Sequence, residues 1–311
     1  MRIAVTGASG FCGGRVAQAA AAAGHDVVCV GRRPGPVGTH VPWDAAGTVA
    51  PDLAGADAVV HLAAAVGDPR PGPATDELFR RVNVDGTARL MDAAAGRPVV
   101  YVSSASVYAP GAHPGPVTED APVGRQRTAY GRTKAAGELV ATVAGAVALR
   151  PRAVYGPGDP HLVPRLLGAV RAGLLPLPGR NNRLSLTAVE NLADACLLAL
   201  GWPAGPYNVA DAEPYERDAT VRQVLAAFGR NARTVHVPVP VANAAAAFAT
   251  RLRPAPALTR YAVDQLAHGL VLDLTRATTR GYAPGRRLAD FLADHPASRI
   301  AHRQRPPTAI P

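Results

Sequence analysis

A chain of 311 residues, 48% hydrophobic but only 5% aromatic, can fill one large core or a core with a smaller appendage, and argues against an aromatic-rich sandwich. The net charge of +10 is carried by arginines spread along the chain apart from short pairs such as Arg32 with Arg33 and Arg286 with Arg287, with few aromatics to stack bases, which excludes a nucleic-acid footprint. Cys12, Cys29 and Cys196 are odd in number without C-x-x-C spacing, no apolar run approaches the roughly 20 residues of a membrane span, and no leader pattern opens the chain, so a cytoplasmic protein with reduced thiols and no membrane contact is expected.

Residues 3–5 predict the first strand. Thr6-Gly7-Ala8-Ser9-Gly10-Phe11-Cys12-Gly13-Gly14 follows at once and opens a helical pattern over 11–23. A turn that brings backbone against a pyrophosphate needs residues without Cβ, and the helix start beyond it supplies N–H donors and partial positive charge. Gly7, Ser9, Gly10, Phe11, Cys12 and Gly13 are therefore expected to hold a dinucleotide, with Cys12 as a small apolar filler. The second strand, 27–30, ends in Gly31-Arg32-Arg33. A carboxylate at that position would take the ribose hydroxyls of NAD; a neutral residue followed by arginines suits the 2′-phosphate of NADP, so NADP is preferred and NAD stays possible.

Further strands are expected at 58–62, 99–103, 146–149 and 207–209, with helices over 76–95, 129–144 and 189–200. Their continuous apolar character fits strands covered on both faces, so the fold class is α/β, a doubly wound parallel Rossmann sheet. The regular alternation breaks after about residue 155. Residues 1–155, rejoined by 183–210, read as the dinucleotide-binding domain, 156–182 and 211–294 as a smaller, partly helical substrate-binding region, and 295–311 as a disordered tail. The alanine-rich stretch 244–252 reads as a packing helix.

The chemistry concentrates at one edge of this sheet. Val102-Ser103-Ser104-Ala105-Ser106 leaves a strand at its C-terminal end, where doubly wound folds bind ligands. Tyr130 and Lys134 share a helix face, and Lys134 is the only lysine among 33 cationic side chains. A phenol is a weak acid and base near neutrality, and a nearby ammonium is expected to favour its phenolate, so that Tyr130 exchanges a proton with a substrate oxygen while Ser104 holds that oxygen. Ser103 and Ser106 read as hydrogen-bonding loop residues, since no Gly-x-Ser-x-Gly elbow exists. His61 reads as structural or as lining the cofactor cleft; with no His-Glu-x-x-His and no cysteine pair, no metal is expected.

These motifs resemble the extended short-chain dehydrogenases/reductases, the epimerase/dehydratase superfamily. The resemblance runs to about residue 290 and rests on the glycine turn, Asp57-Ala-Val-Val-His-Leu-Ala-Ala64, Asn83, Ser103-Ser104, Tyr130 with Lys134, and Leu149-Arg-Pro-Arg-Ala-Val-Tyr-Gly-Pro157. It implies that Leu62, Ala63, Ala64 and Val102 line the cofactor, Asp44 contacts adenine, Lys134 holds the nicotinamide ribose, and Pro151 to Val154 approach the nicotinamide. It also implies a homodimer acting on a small-molecule substrate. Nucleotide-sugar members typically carry asparagine where this chain has Ala153, whereas Val189-Glu-Asn191, Tyr207-Asn-Val209 and Asp273-Leu-Thr-Arg-Ala277 look more like the 3β-hydroxysteroid dehydrogenase and ketone reductase branch. The expected activity is therefore an NADP-dependent interconversion of carbonyl and secondary alcohol on a mostly apolar molecule. A nucleotide-sugar epimerase or dehydratase, for which Arg183 would meet the diphosphate, and a non-catalytic NADP-binding regulator remain as alternatives.

Overall fold

Seven parallel strands form the central sheet: β1 (Arg2–Thr6), β2 (Asp26–Gly31), β3 (Thr39–Pro42), β4 (Ala58–His61), β5 (Val99–Val102), β6 (Val147–Pro151) and a last strand, Gly205–Val209. The computed structural model describes residues 1–67, 71–252 and 259–294. From β1 the chain winds outward through β2 and β3 on one side, and through β4, β5, β6 and Gly205–Val209 on the other. Thr6 at the end of β1 stands opposite both Val30 and His61, so the reversal of winding falls beside the glycine turn.

Alternation along β1 shows why the strands read as unbroken apolar runs. Ile3 and Val5 face a layer containing Val16, Ala17 and Ala20 of helix α1 (Phe11–Ala22) and Leu192 and Cys196 of the helix Val189–Leu198. Ala4 faces the other layer with Val59, Leu90, Tyr101 and Ala141. Both faces are covered, so apolar residues occupy both parities along the middle of the strands. The many alanines let helices lie close to the sheet and to one another.

The segment predicted as one helix over 76–95 is not continuous. It begins earlier, as α2 (Pro73–Arg80), passes through a π-helical turn at Arg81–Asp85, and resumes as α3 (Gly86–Ala94). The wider turn points Asn83 inward, and the next long helix, α4 (Ala129–Val143), packs against it so closely that a Cβ on Gly137 would lie 2.2 Å from the Asn83 carbonyl oxygen. Edge strand β3, mostly exposed and ending in Pro42, carries no apolar run and was not foreseen.

Beyond residue 151 three two-stranded ladders leave the main sheet: Val154–Tyr155 with Thr187–Ala188, Leu174–Pro178 with Arg233–Val237, and Arg183–Leu184 with Tyr215–Glu216. The helices Leu162–Ala169, Arg217–Ala227 and Arg260–Ala267 pack around them. The alanine-rich stretch belongs to the helix Val239–Leu252, whose Ala242 and Ala246 pack on Val263. The tail expected over 295–311 lies outside the described residues. Among the described residues no helix is long and apolar enough to cross a membrane.

Candidate active site

The glycine turn is held by its own backbone. Gly7 N–H donates to the Val30 carbonyl at 3.1 Å, and Gly10 N–H to the Gly7 carbonyl at 2.9 Å. Gly7 has φ +68°, a left-handed conformation that excludes most side chains, and a Cβ on Gly13 would come within 2.3 Å of the Gly7 oxygen. Helix α1 starts at Phe11 with no side-chain cap on Gly10, leaving its first N–H groups free to meet an anion. Burial raises the Cys12 thiol to about 12, with Asp159 adding to it, so the thiol is inert as the filler reading expects.

Thr6 joins this turn to the next strand. Its hydroxyl oxygen accepts from Leu62 N–H at 3.0 Å and Ala63 N–H at 2.9 Å, and lies 2.7 Å from His61 Nδ1. With two donors already on the oxygen, the Thr6 proton goes to Nδ1, which fixes His61 as the tautomer protonated on Nε2, 3.2 Å from Thr87 Oγ1. Burial, with Lys134 nearby, holds the His61 pKa down to about 3, so the ring is a neutral spacer. Among the described residues no three His, Cys, Asp or Glu side chains form a metal cluster. Asn83 makes the parallel link: its side chain exchanges hydrogen bonds with both backbone groups of Ala65, at 2.7 and 3.0 Å, and donates to Thr133 Oγ1 on α4. The cofactor-lining run is thereby tied to the helix that carries Tyr130 and Lys134.

Tyr130, half-buried, and Lys134, buried, stand on α4 as the i, i+4 spacing requires, and the Ser104 hydroxyl hydrogen-bonds the Tyr130 phenol. One expectation needs correction. Lys134 Nζ does not act on the phenol: it donates to the Val102 carbonyl at 2.6 Å and lies 4.0 Å from the centre of the Tyr101 ring. Desolvation, reinforced by the neighbouring Tyr261, pushes Tyr130 up from its ordinary 10.0, and the Ser104 bond opposes this only in part. Desolvation likewise lowers Lys134 from 10.5 to about 7, against the opposing pull of Glu138. Without a ligand the pair therefore sits near neutrality on both members, each favouring its uncharged form.

Beneath this pair lies an ionic network that the sequence did not reveal. Glu138, one turn beyond Lys134, forms a buried salt bridge with Arg150 at 2.5 Å and accepts from Ser103 Oγ at 2.5 Å. Arg150 also donates to Tyr108 Oη at 3.0 Å and to the Glu119 carbonyl at 2.9 Å. The network pins α4 to β5 and β6 where their C-terminal ends open into the site. The only available signal was the arginine within the Leu149-Arg-Pro motif, and spacing gave no partner for it.

Every residue expected to touch the cofactor lines one cleft of about 1310 Å³: Gly7, Ser9, Gly10, Phe11, Cys12, Gly13, Arg32, Arg33, Asp44, Leu62, Ala63, Ala64, Val102, Pro151 and Val154, together with Ser104, Tyr130 and Lys134. A single small ligand typically fills about 300–1,000 Å³, so this cleft has room for a dinucleotide and a second molecule. The wall also carries the aliphatic Val163, Leu166, Leu175, Leu177, Leu186 and Val221, interspersed with Arg165, Arg171, Arg217 and Thr220. Arg183, the expected diphosphate residue of the sugar-nucleotide alternative, does not line it; exposed, it stands 3.7 Å from Glu216 in the outer ladder. The helix Arg260–Ala267 closes the rim through one face: Tyr261 lies 2.7 Å from Ser106 Oγ, Asp264 2.6 Å from Arg127, and Gln265 2.7 Å from Arg152.

Comparison with known proteins agrees with this geometry. A sequence profile of the NAD dependent epimerase/dehydratase family matches residues 3–210. A 2-alkyl-3-oxoalkanoate reductase of Stenotrophomonas maltophilia is 32% identical over 300 residues, spanning 86% of this chain and 89% of that protein. A 3 beta-hydroxysteroid dehydrogenase/Delta 5-->4-isomerase of Mycobacterium tuberculosis is 29% identical over 318 residues, 91% of this chain and 86% of the relative. Among solved structures, MoeE5 in complex with UDP-glucose and NAD superposes with a TM-score of 0.74 at 26% identity, over 97% of this chain and 99% of that one.

Proposed function

This chain belongs to the NAD dependent epimerase/dehydratase family, and from that premise we propose that it is an NADP-dependent reductase converting a ketone or aldehyde on a mostly apolar small molecule into an alcohol. The observation that carries this reading is the row of aliphatic side chains in the cleft wall, Val163, Leu166, Leu175, Leu177, Leu186 and Val221, which offers an alkyl or polycyclic substrate an apolar surface. The two relatives named for an oxoalkanoate and a hydroxysteroid support it. So does Ala153, small and apolar in a left-handed conformation (φ 43°), where sugar-nucleotide members typically carry asparagine.

Reduced nicotinamide supplies the hydride for such a reaction. Tyr130 delivers its phenolic proton to the carbonyl oxygen, and the Ser104 hydroxyl donates to the same oxygen as negative charge develops there. Lys134, held over the sheet edge by the Val102 carbonyl, would bind the nicotinamide ribose. The apolar wall excludes water from the oxygen while charge is present.

The preference for NADP rests on Gly31, Arg32 and Arg33, where no acidic side chain stands in the way of a phosphate and both arginines are exposed at the cleft. Losing one charge-assisted bond costs about 1.5–3 kcal/mol, so Arg32→Ala is expected to raise the NADPH Michaelis constant about tenfold or more and to leave that for NADH almost unchanged. An NADPH constant that does not move would return the preference to NAD.

A second reading, a nucleotide-sugar epimerase, is favoured by the likeness to MoeE5 and by Arg165 and Arg171 in the cleft wall. Stoichiometry separates the two. Incubation with NADPH and a 3-oxo ester or a steroid ketone should consume NADPH in proportion to alcohol formed. Conversion of UDP-glucose with no net change in cofactor absorbance would replace the reductase by the epimerase.

A further inference from the structure

We propose that Ser106 and Tyr261 form a proton path that reloads Tyr130 from water in a second, smaller cleft. The inference rests on the reductase reading, in which each turnover removes one proton from Tyr130 into the product. Bound substrate and cofactor would then cover that phenol from the main cleft, while Lys134 donates to the Val102 carbonyl. A chain of hydroxyls leads the other way. The Tyr130 phenol is bonded to Ser104, Ser104 Oγ lies 3.0 Å from Ser106 Oγ, and Ser106 Oγ lies 2.7 Å from Tyr261 Oη.

Ser106 and Tyr261 line both the main cleft and a separate one of about 50 Å³, bordered also by Gln126, Arg127 and His268. A water needs only about 10–15 Å³ of such space, so the smaller cleft can hold several. The hydroxyls thus bridge the partition between a site that must be dry during reaction and a site that can be wet. Each hydroxyl is at once donor and acceptor, so the row can reverse direction without leaving a charge on any serine.

The step balances. Hydride from the reduced nicotinamide and the Tyr130 proton convert carbonyl to alcohol, leaving oxidised nicotinamide and a phenolate. The phenolate takes the Ser104 proton, Ser104 takes that of Ser106, Ser106 takes that of Tyr261, and Tyr261 takes one from water in the smaller cleft. The net consumption is one NADPH and one solvent proton per alcohol.

Because Tyr130 begins each cycle already protonated, the path is dispensable for the first turnover and needed from the second. Tyr261→Phe keeps the ring and removes the hydroxyl. In rapid mixing of the full chain with NADPH and ethyl 3-oxohexanoate, its first turnover should match the unaltered protein, while the steady rate falls about tenfold and becomes more sensitive to heavy water. Ser106→Ala, which cuts the row at another atom, should give the same pattern. A first turnover slowed as much as the steady rate would mean that Tyr261 only positions the helix or the substrate, and an unchanged steady rate would also overturn the path. A failure of the reductase reading looks different: the unaltered protein then consumes no NADPH even in its first turnover, whereas if the reading holds that turnover is present and Tyr130→Phe abolishes it.

Discussion

Replacing Tyr130 with phenylalanine is expected to lower kcat by about 10²–10⁴-fold, the usual contribution of a positioned general acid, while NADPH binding followed by cofactor fluorescence stays within about twofold. The substitution retains the ring on α4 and deletes one oxygen, so it removes the proton donor and the bond to Ser104 without opening a cavity. Phenylalanine can offer no proton to a carbonyl oxygen, and Ser104 alone would stabilise the developing charge without neutralising it. Desolvation already keeps the free Tyr130 protonated, which is the form a reductase needs at the start of its cycle. Full turnover in this variant would remove Tyr130 from the reaction and with it the proposed mechanism.

The second large effect belongs to stability. Glu138→Ala is expected to destabilise the fold by about 3–5 kcal/mol, because it leaves the Arg150 guanidinium buried without its counter-ion. For a chain of this size that corresponds to a fall in Tm of roughly 5–8 °C, readable by calorimetry or urea unfolding. If the variant does not accumulate, Ser103→Ala probes the same carboxylate more gently, with an expected loss of about 1–3 kcal/mol. Glu138 also supports the charge on Lys134, so a variant that folds should show its alkaline loss of activity at lower pH than the unaltered protein. An unchanged unfolding midpoint would show that the ion pair contributes no more than an exposed one.

The sequence made the frame of the site legible for a specific reason. Strands covered on both faces leave unbroken apolar runs, and a turn that must admit a pyrophosphate leaves glycines at fixed spacing, so β1, the glycine turn and the face of α4 could be read locally. What escaped depends on distance along the chain. Glu138 and Arg150 stand 12 residues apart on different elements, and Ser106 and Tyr261 stand 155 apart, so no periodicity couples either pair. The π turn escaped because a change of hydrogen-bond register leaves the spacing of apolar residues almost untouched. The supposed action of the Lys134 ammonium on Tyr130 failed because i, i+4 spacing fixes a face and not where a long side chain ends.

The helix Arg260–Ala267 lies beyond the family match at 3–210, yet its Tyr261, Asp264 and Gln265 complete the rim of the cleft. The cleft wall is thus drawn from both sides of residue 210, with Leu175 and Leu177 before it and Tyr261 and Gln265 after it. Exchanging the later stretch in a chimera that keeps the Tyr261, Asp264 and Gln265 anchors should therefore reshape one side of the cleft and leave the glycine turn, Tyr130 and Lys134 in place.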